Sequence, residues 1–165
     1  KDSKKCSVKK RKELREYIEK NAISYSVQFI DNNEIDKNNI LSSTITGMHR
    51  CADSITEKMK IDTLLIDGNR FNLYFDKKGE NIPHVCVIGG DDKYKSIAAA
   101  SILAKEYRDE YIINLVKENS ELEKYDIQNN KGYGTKKHTE AIKEHGITKW
   151  HRNTFGICKK YFIQN

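Results

Sequence analysis

The chain has 165 residues, a mass of 19.2 kDa and a pI of about 9.0, with 30 Lys and Arg against 24 Asp and Glu for a net charge of +6. One third of it is charged and 37% hydrophobic, but 20 isoleucines are enough for a packed core, which excludes wholesale disorder. No apolar run approaches the ~20 residues that a bilayer crossing needs, and residues 1–12 are basic without an apolar stretch, so neither a membrane span nor a secretory signal is expected.

In chain order, Ser7 is placed to cap a helix over 9–20, with Leu14, Tyr17 and Ile18 on one side. Residues 22–30 alternate Ile23, Tyr25, Val27 and Phe29 with polar neighbours, which predicts a strand. Residues 34–60 read as helix in two pieces joined near Asn38-Asn39, with Ile45, Met48, Ala52, Ile55 and Met59 at the helical period. Thr63–Asp67 is a short apolar strand turned by Gly68-Asn69. A loop or loose hairpin over 71–83 leads to a strand at 84–88, closed by Gly89-Gly90. Ser96 is expected to cap a long helix to about Asn119. A loop over 128–134 precedes a helix at 136–145, with Thr135 as its cap and Gly146 as its C-terminal stop. The tail from Thr148 is irregular or holds a short helix. No linker or repeat divides the chain, so a single α/β domain over 1–165 is expected. Three strands form a thin sheet for so much helix.

Charge is uneven. Residues 1–20 and 131–165 are strongly basic, and 21–130 are net acidic. Basic ends suit a polyanion and acids in the middle suit a metal, although solvated lysine surface gives the same count. The cysteines Cys6, Cys51, Cys86 and Cys158 form no CxxC pair, which argues against a zinc finger and thioredoxin-like chemistry. They read as reduced thiols of a cytosolic protein. His138, His145 and His151 do not have the spacing of a metal site.

Asp67 ends an apolar strand just before Gly-Asn, where α/β sheets tend to bind ligands. Its carboxylate could hold a hard cation such as Mg²⁺, or turn back on its own backbone in an Asx-turn. Asp109 lies seven residues after Ile102 and seven before Val116, so it falls on the apolar stripe of the long helix. A carboxylate there needs neutralising. Lys105 or Arg108 could do so as an ion pair, and so could a metal shared with Asp67. The segment from Gly89 to Ser96 leads into a helix start, which favours phosphate, but it is no GxxxxGK[ST] loop. Tyr133, between glycines and beside basic residues, is either a stacking surface or a surface turn.

Taken together, these motifs resemble ribonuclease H of type II. The resemblance rests on the run from Ser96 to Lys105 followed by Arg108-Asp109, and on Leu65-Ile-Asp-Gly-Asn69. It also rests on Gly90-Asp-x-Lys93, Lys131-Gly-Tyr-Gly-Thr135 with His138, and His151-Arg152 with Phe155. Asp2-Ser-Lys-Lys5 and the Ile40-Leu, Thr44, Met48 pattern fit as well, so the match spans residues 2–155 in order. The resemblance implies an RNase H-like fold, a mixed sheet flanked by helices. It implies hydrolysis of the RNA strand of RNA–DNA hybrids, and of ribonucleotides embedded in duplex DNA, with Mg²⁺ or Mn²⁺. Asp67 and Asp109 would be two of four metal-holding catalytic carboxylates, with one ion activating water and the other stabilising the leaving 3′-oxygen. Lys4, Thr44, Lys93 and Tyr133 would meet the substrate, Tyr133 at the RNA–DNA junction. A cytoplasmic monomer without membrane contact is implied.

One family motif has no counterpart. No Asp-Glu-x-Gly occurs in these 165 residues, and the Gly-Arg-Gly that reads the 2′-hydroxyl is absent with it. The first strands of the family sheet are therefore expected to be missing from this chain, which accounts for the thin sheet. Little or no cleavage is expected from the chain as written, and an added Asp-Glu-x-Gly-Arg-Gly strand should rescue it. Two other readings stay open. One is a non-catalytic nucleic-acid binder, and the other a subunit completed by a partner strand.

Overall fold

The computed structural model describes residues 6–162, a mixed α/β chain of helices and two small sheets. These residues group into two compact units, one of 6–29 with 44–107 and the other of 30–43 with 108–162. The boundary falls inside two helices, α3 (Ile40–Thr56) and α5 (Lys95–Glu118).

The first unit begins with α1 (Val8–Asn21), whose first turn is closed by the Lys10 N–H donating to Ser7 Oγ at 3.2 Å. Arg11 is buried on this helix, and its Nε donates to the equally buried Glu106 of α5 at 2.7 Å. β1 (Leu64–Asp67) runs parallel to β4 (His84–Val87), with Leu64 opposite His84 and Asp67 opposite Val87. The hairpin of β2 (Tyr74–Phe75) and β3 (Asn81–Ile82) lies in the connection between them. Tyr74 and Ile82 pack with Ala52 of α3 in a small core, and the Tyr74 hydroxyl donates to Asp53 at 2.7 Å. After β4 come the single turn α4 (Gly90–Lys93) and then α5.

Two expectations fail here. Residues 22–30 carry the alternating pattern of a strand but form none. Ile23 is 92% exposed, and no ladder partner pairs with this stretch among the described residues. Alternation marks a two-faced segment, whereas a strand also needs a neighbouring backbone. The long helix starts at Lys95, so Ser96 lies inside its first turn rather than capping it.

In the second unit, Asp31 caps α2 (Asn32–Asn38) by accepting from Glu34 N–H at 2.8 Å. Asn39 then stands at φ 66° between α2 and α3, and its side chain accepts from Ser42 N–H at 3.0 Å. One asparagine thus ends the first piece of helix and starts the second. The core collects Leu115 and Val116 of α5 with Leu122, Tyr125 and Ile127, and Ala141 and Ile142 of the helix at 136–145. The short helix α6 (Ile127–Asn130) leads to the loop before α7 (Lys136–His145). Thr135 caps α7, and Gly146, at φ 75°, ends it. A 3-10 turn (Gly156–Lys160) follows in the tail. Asn32 Nδ2 donates to the carbonyls of Lys149 and His151, and Asp36 accepts from the N–H groups of Asn153 and Thr154. These bonds hold the tail on α2. Burial acts to raise the Asp36 pKa. The Thr154 hydroxyl, the two N–H groups and Arg152 outweigh it and hold the carboxyl below its usual value.

All four cysteines are free thiols, and no helix of the described residues is long and apolar enough to cross a membrane.

Candidate active site

Asp67 is the last residue of β1 and is exposed. Its Oδ1 accepts from the Gly90 N–H at 2.9 Å, a bond to a residue 23 positions away. Gly89 adopts φ 63° and turns the chain out of β4, bringing Gly90 under the carboxylate. Glycine gives the close approach at 90 its room. A Cβ there would stand 2.5 Å from Ile97 Cδ1 and 3.4 Å from Asp67 Oδ1. The Gly-Gly pair is thus the means by which the sequence orients this carboxylate. Lys93, three residues on, is exposed, and its Nζ donates to the Ile88 carbonyl at 2.8 Å. Thr44 is exposed near the start of α3. Asp67, Lys93 and Thr44 belong to the first unit.

Asp109 and Tyr133 belong to the second. The Asp109 side chain is 15% exposed, in keeping with its place between the buried positions Ile102 and Val116 along α5. Arg108 Nη1 stands 3.8 Å from Asp109 Oδ1, too far for a hydrogen bond. The guanidinium makes its short bond elsewhere, with Nη2 donating to the Lys131 carbonyl at 2.7 Å, and its Cζ lies 5.2 Å from the Tyr133 ring centre.

The Tyr133 loop is tightly held although its ring is 61% exposed. Lys131 and Gly132 both adopt positive φ, 54° and 78°. Asn130 is buried. It donates to the Tyr125 carbonyl and accepts from Gly132 N–H, each at 2.8 Å. Tyr133 N–H donates to the Asn130 carbonyl at 2.9 Å. The Tyr133 carbonyl accepts from Thr135 N–H at 2.8 Å and faces His138 Nδ1 at 3.0 Å. An exposed ring on a fixed backbone is what stacking on a sugar or base requires.

Sequence spacing left one feature hidden. His138 and His151 are buried with their Nε2 atoms 3.2 Å apart. Thirteen positions and a helix end separate them, so no local pattern marks the pair. Lys4 lies outside the described residues.

Asp67 and Asp109 each carry a hard oxygen donor of the kind that Mg²⁺ and Mn²⁺ prefer. No group of three His, Cys, Asp or Glu able to hold a metal occurs among the described residues.

The chain matches the family model of Ribonuclease HII over residues 1–160. It is 51% identical over 156 residues to the Ribonuclease HII of Bacteroides fragilis, which takes in 94% of this chain and 73% of the relative. It is 47% identical to that of Christiangramia forsetii over 94% of this chain and 74% of the relative. Against that of Porphyromonas gingivalis it is 42% identical, over 93% of this chain and 72% of the relative. With the match covering nearly the whole chain, this protein belongs to the ribonuclease HII family.

Proposed function

We propose that this protein is an endoribonuclease that hydrolyses the RNA strand of RNA–DNA hybrids and ribonucleotides embedded in duplex DNA, using Mg²⁺ or Mn²⁺. The observation that carries the reading is the Ribonuclease HII match across residues 1–160. It is supported by a carboxylate fixed at a strand end by Gly90 and by a stacking ring on a rigid basic loop. The finer fold belongs to the same proposal: an RNase H-like sheet with β1 and β4 as two of its strands, in one catalytic domain over 1–165. So does action as a cytoplasmic monomer.

In this reading Asp67 and Asp109 are the carboxylates of this chain that hold the metal. The divalent ion, when bound, supplies Lewis-acid stabilisation of the charge that develops on the phosphate during hydrolysis. Gly90 N–H keeps the Asp67 carboxylate in one orientation, so little reorganisation is needed when the substrate arrives. Tyr133 lays its ring on the sugar at the RNA–DNA junction. Lys93, Thr44 and Lys4 meet the phosphate backbone, whose negative charge the basic ends of the chain attract.

The test is cleavage of a duplex carrying one ribonucleotide, beside an all-DNA duplex of the same sequence. It is run with the chain alone and with an Asp-Glu-x-Gly-Arg-Gly strand joined before Lys1. The expected outcome is metal-dependent cutting at the ribonucleotide by the extended chain, little by the chain alone, and none of the all-DNA duplex. Equal cutting of both duplexes contradicts the proposed specificity. Full cutting in excess EDTA contradicts the metal chemistry.

A further inference from the structure

We propose that His138 and His151 form a neutral relay with a fixed proton order that sets the Tyr133 loop, making both histidines positioning residues for the substrate. The inference rests on the reading above that Tyr133 meets the substrate.

The proton order follows from the two ends of the relay, where donor and acceptor have no choice. A backbone N–H can only donate. Thr148 N–H points at His151 Nδ1 at 3.0 Å, so that nitrogen accepts. A neutral ring that accepts at Nδ1 carries its proton on Nε2. The His151 Nε2–H faces His138 Nε2 at 3.2 Å, so the latter accepts in turn. His138 then carries its proton on Nδ1, 3.0 Å from the Tyr133 carbonyl, which can only accept. Thr148 Oγ1, 2.9 Å from the same His151 Nδ1, can donate there as well, so both Thr148 groups are served by an accepting nitrogen. An extra proton on His138 would set N–H against N–H across the 3.2 Å gap, and one on His151 would set its Nδ1–H against the Thr148 N–H at 3.0 Å.

The surroundings favour this neutral arrangement. His138 is 5% exposed and His151 6%. Burial first, and then the neighbouring His138, push His151 down to about 4. Tyr125 faces the pair from the 3-10 turn Ser120–Tyr125, its ring centre 4.9 Å from that of His151 and 6.2 Å from that of His138. The relay also has a fixed base, because the His151 carbonyl accepts from Asn32 of α2 at 3.1 Å. A chain of hydrogen bonds, buried at its His138–His151 link, thus runs from α2 through the tail to the backbone under an exposed ring.

Two measurements test this on the whole chain. In the first, long-range ¹H–¹⁵N correlation spectra at pH 7 read the histidine tautomers. His138 protonated on Nδ1 and His151 on Nε2 is the expected result. The opposite tautomer or a charged ring at either position overturns the relay. In the second, affinity for an RNA–DNA hybrid is compared between His138→Asn and His138→Gln, each alone and with Tyr133→Ala. An asparagine amide nitrogen stands where Nδ1 stood and can still donate to the Tyr133 carbonyl, whereas a glutamine amide stands nearer the Nε2 position. The expected result is His138→Asn within about threefold of the starting protein and His138→Gln weaker by about tenfold, the effect of losing one buried hydrogen bond. That difference should vanish once Tyr133 is alanine. Equal affinities of the two variants, or a difference that persists without Tyr133, overturn the positioning role and leave the Tyr133 reading intact. Unchanged binding by Tyr133→Ala alone overturns that reading and the positioning role with it.

Discussion

The two compact units bury polar groups in opposite ways. The first sets a charge against a charge, Arg11 on Glu106 at 2.7 Å, both nearly out of solvent. The second sets two histidine rings against each other, His138 and His151, inside a chain of hydrogen bonds. A charge pair tolerates changes of pH near neutrality but is costly to halve, because the remaining partner stays buried and charged. A neutral relay is easier to bury but is vulnerable to one added proton. Each unit therefore has its own weak point, and each can be attacked separately.

The largest expected effect is on the charge pair. Glu106→Gln removes the buried carboxylate that faces Arg11 at 2.7 Å, and should lower stability by about 3–5 kcal/mol. Urea unfolding measures this, and a loss below about 1 kcal/mol would mean that the pair is not the first unit's weak point. Acid should act next, and on the second unit. The unfolded chain takes up a proton on His151 at its ordinary value of 6.5, while the folded ring resists until about 4. Between those values the unfolded state binds more protons, so stability is complete above about 6.5 and falls as pH drops toward 4. At about 1.4 kcal/mol per pH unit the loss is roughly 3 kcal/mol. Replacing His151 with Gln should flatten stability against pH in that window. An unchanged slope would show that His151 is not the group responsible. The smallest effect is expected at Gly90. Gly90→Ala forces a Cβ into Ile97 at 2.5 Å, an overpacking that should cost about 1–3 kcal/mol and turn the Asp67 carboxylate. A variant with unchanged melting and unchanged cleavage would show that the close approach is not needed.

Features whose causes lie within a few residues were legible in the sequence. Ser7, Thr135 and Gly146 bound helices through local hydrogen bonds or positive φ, and the Asn38-Asn39 join shows in the asparagine that serves both helix pieces. Asp67 was readable as a strand end because Leu64–Ile66 and the following glycine are adjacent to it. Features that need a distant partner were not legible. Residues 22–30 have the period of a strand, but pairing is decided elsewhere in the chain. Nothing local marks Glu106 for burial, because its partner Arg11 lies 95 positions away. The Gly90 bond explains how Asp67 is oriented, and no count of spacings from a strand end reveals it.

The central claim is that Asp67 and Asp109 are the metal-holding carboxylates of this ribonuclease. Its most direct test is Mn²⁺-dependent cleavage of a ribonucleotide-containing duplex by the chain carrying the added Asp-Glu-x-Gly-Arg-Gly strand, with Asp67→Asn and Asp109→Asn introduced one at a time. Each substitution should lower turnover by about a thousandfold, as loss of several kcal/mol of transition-state stabilisation requires. Full turnover in both variants would contradict the claim.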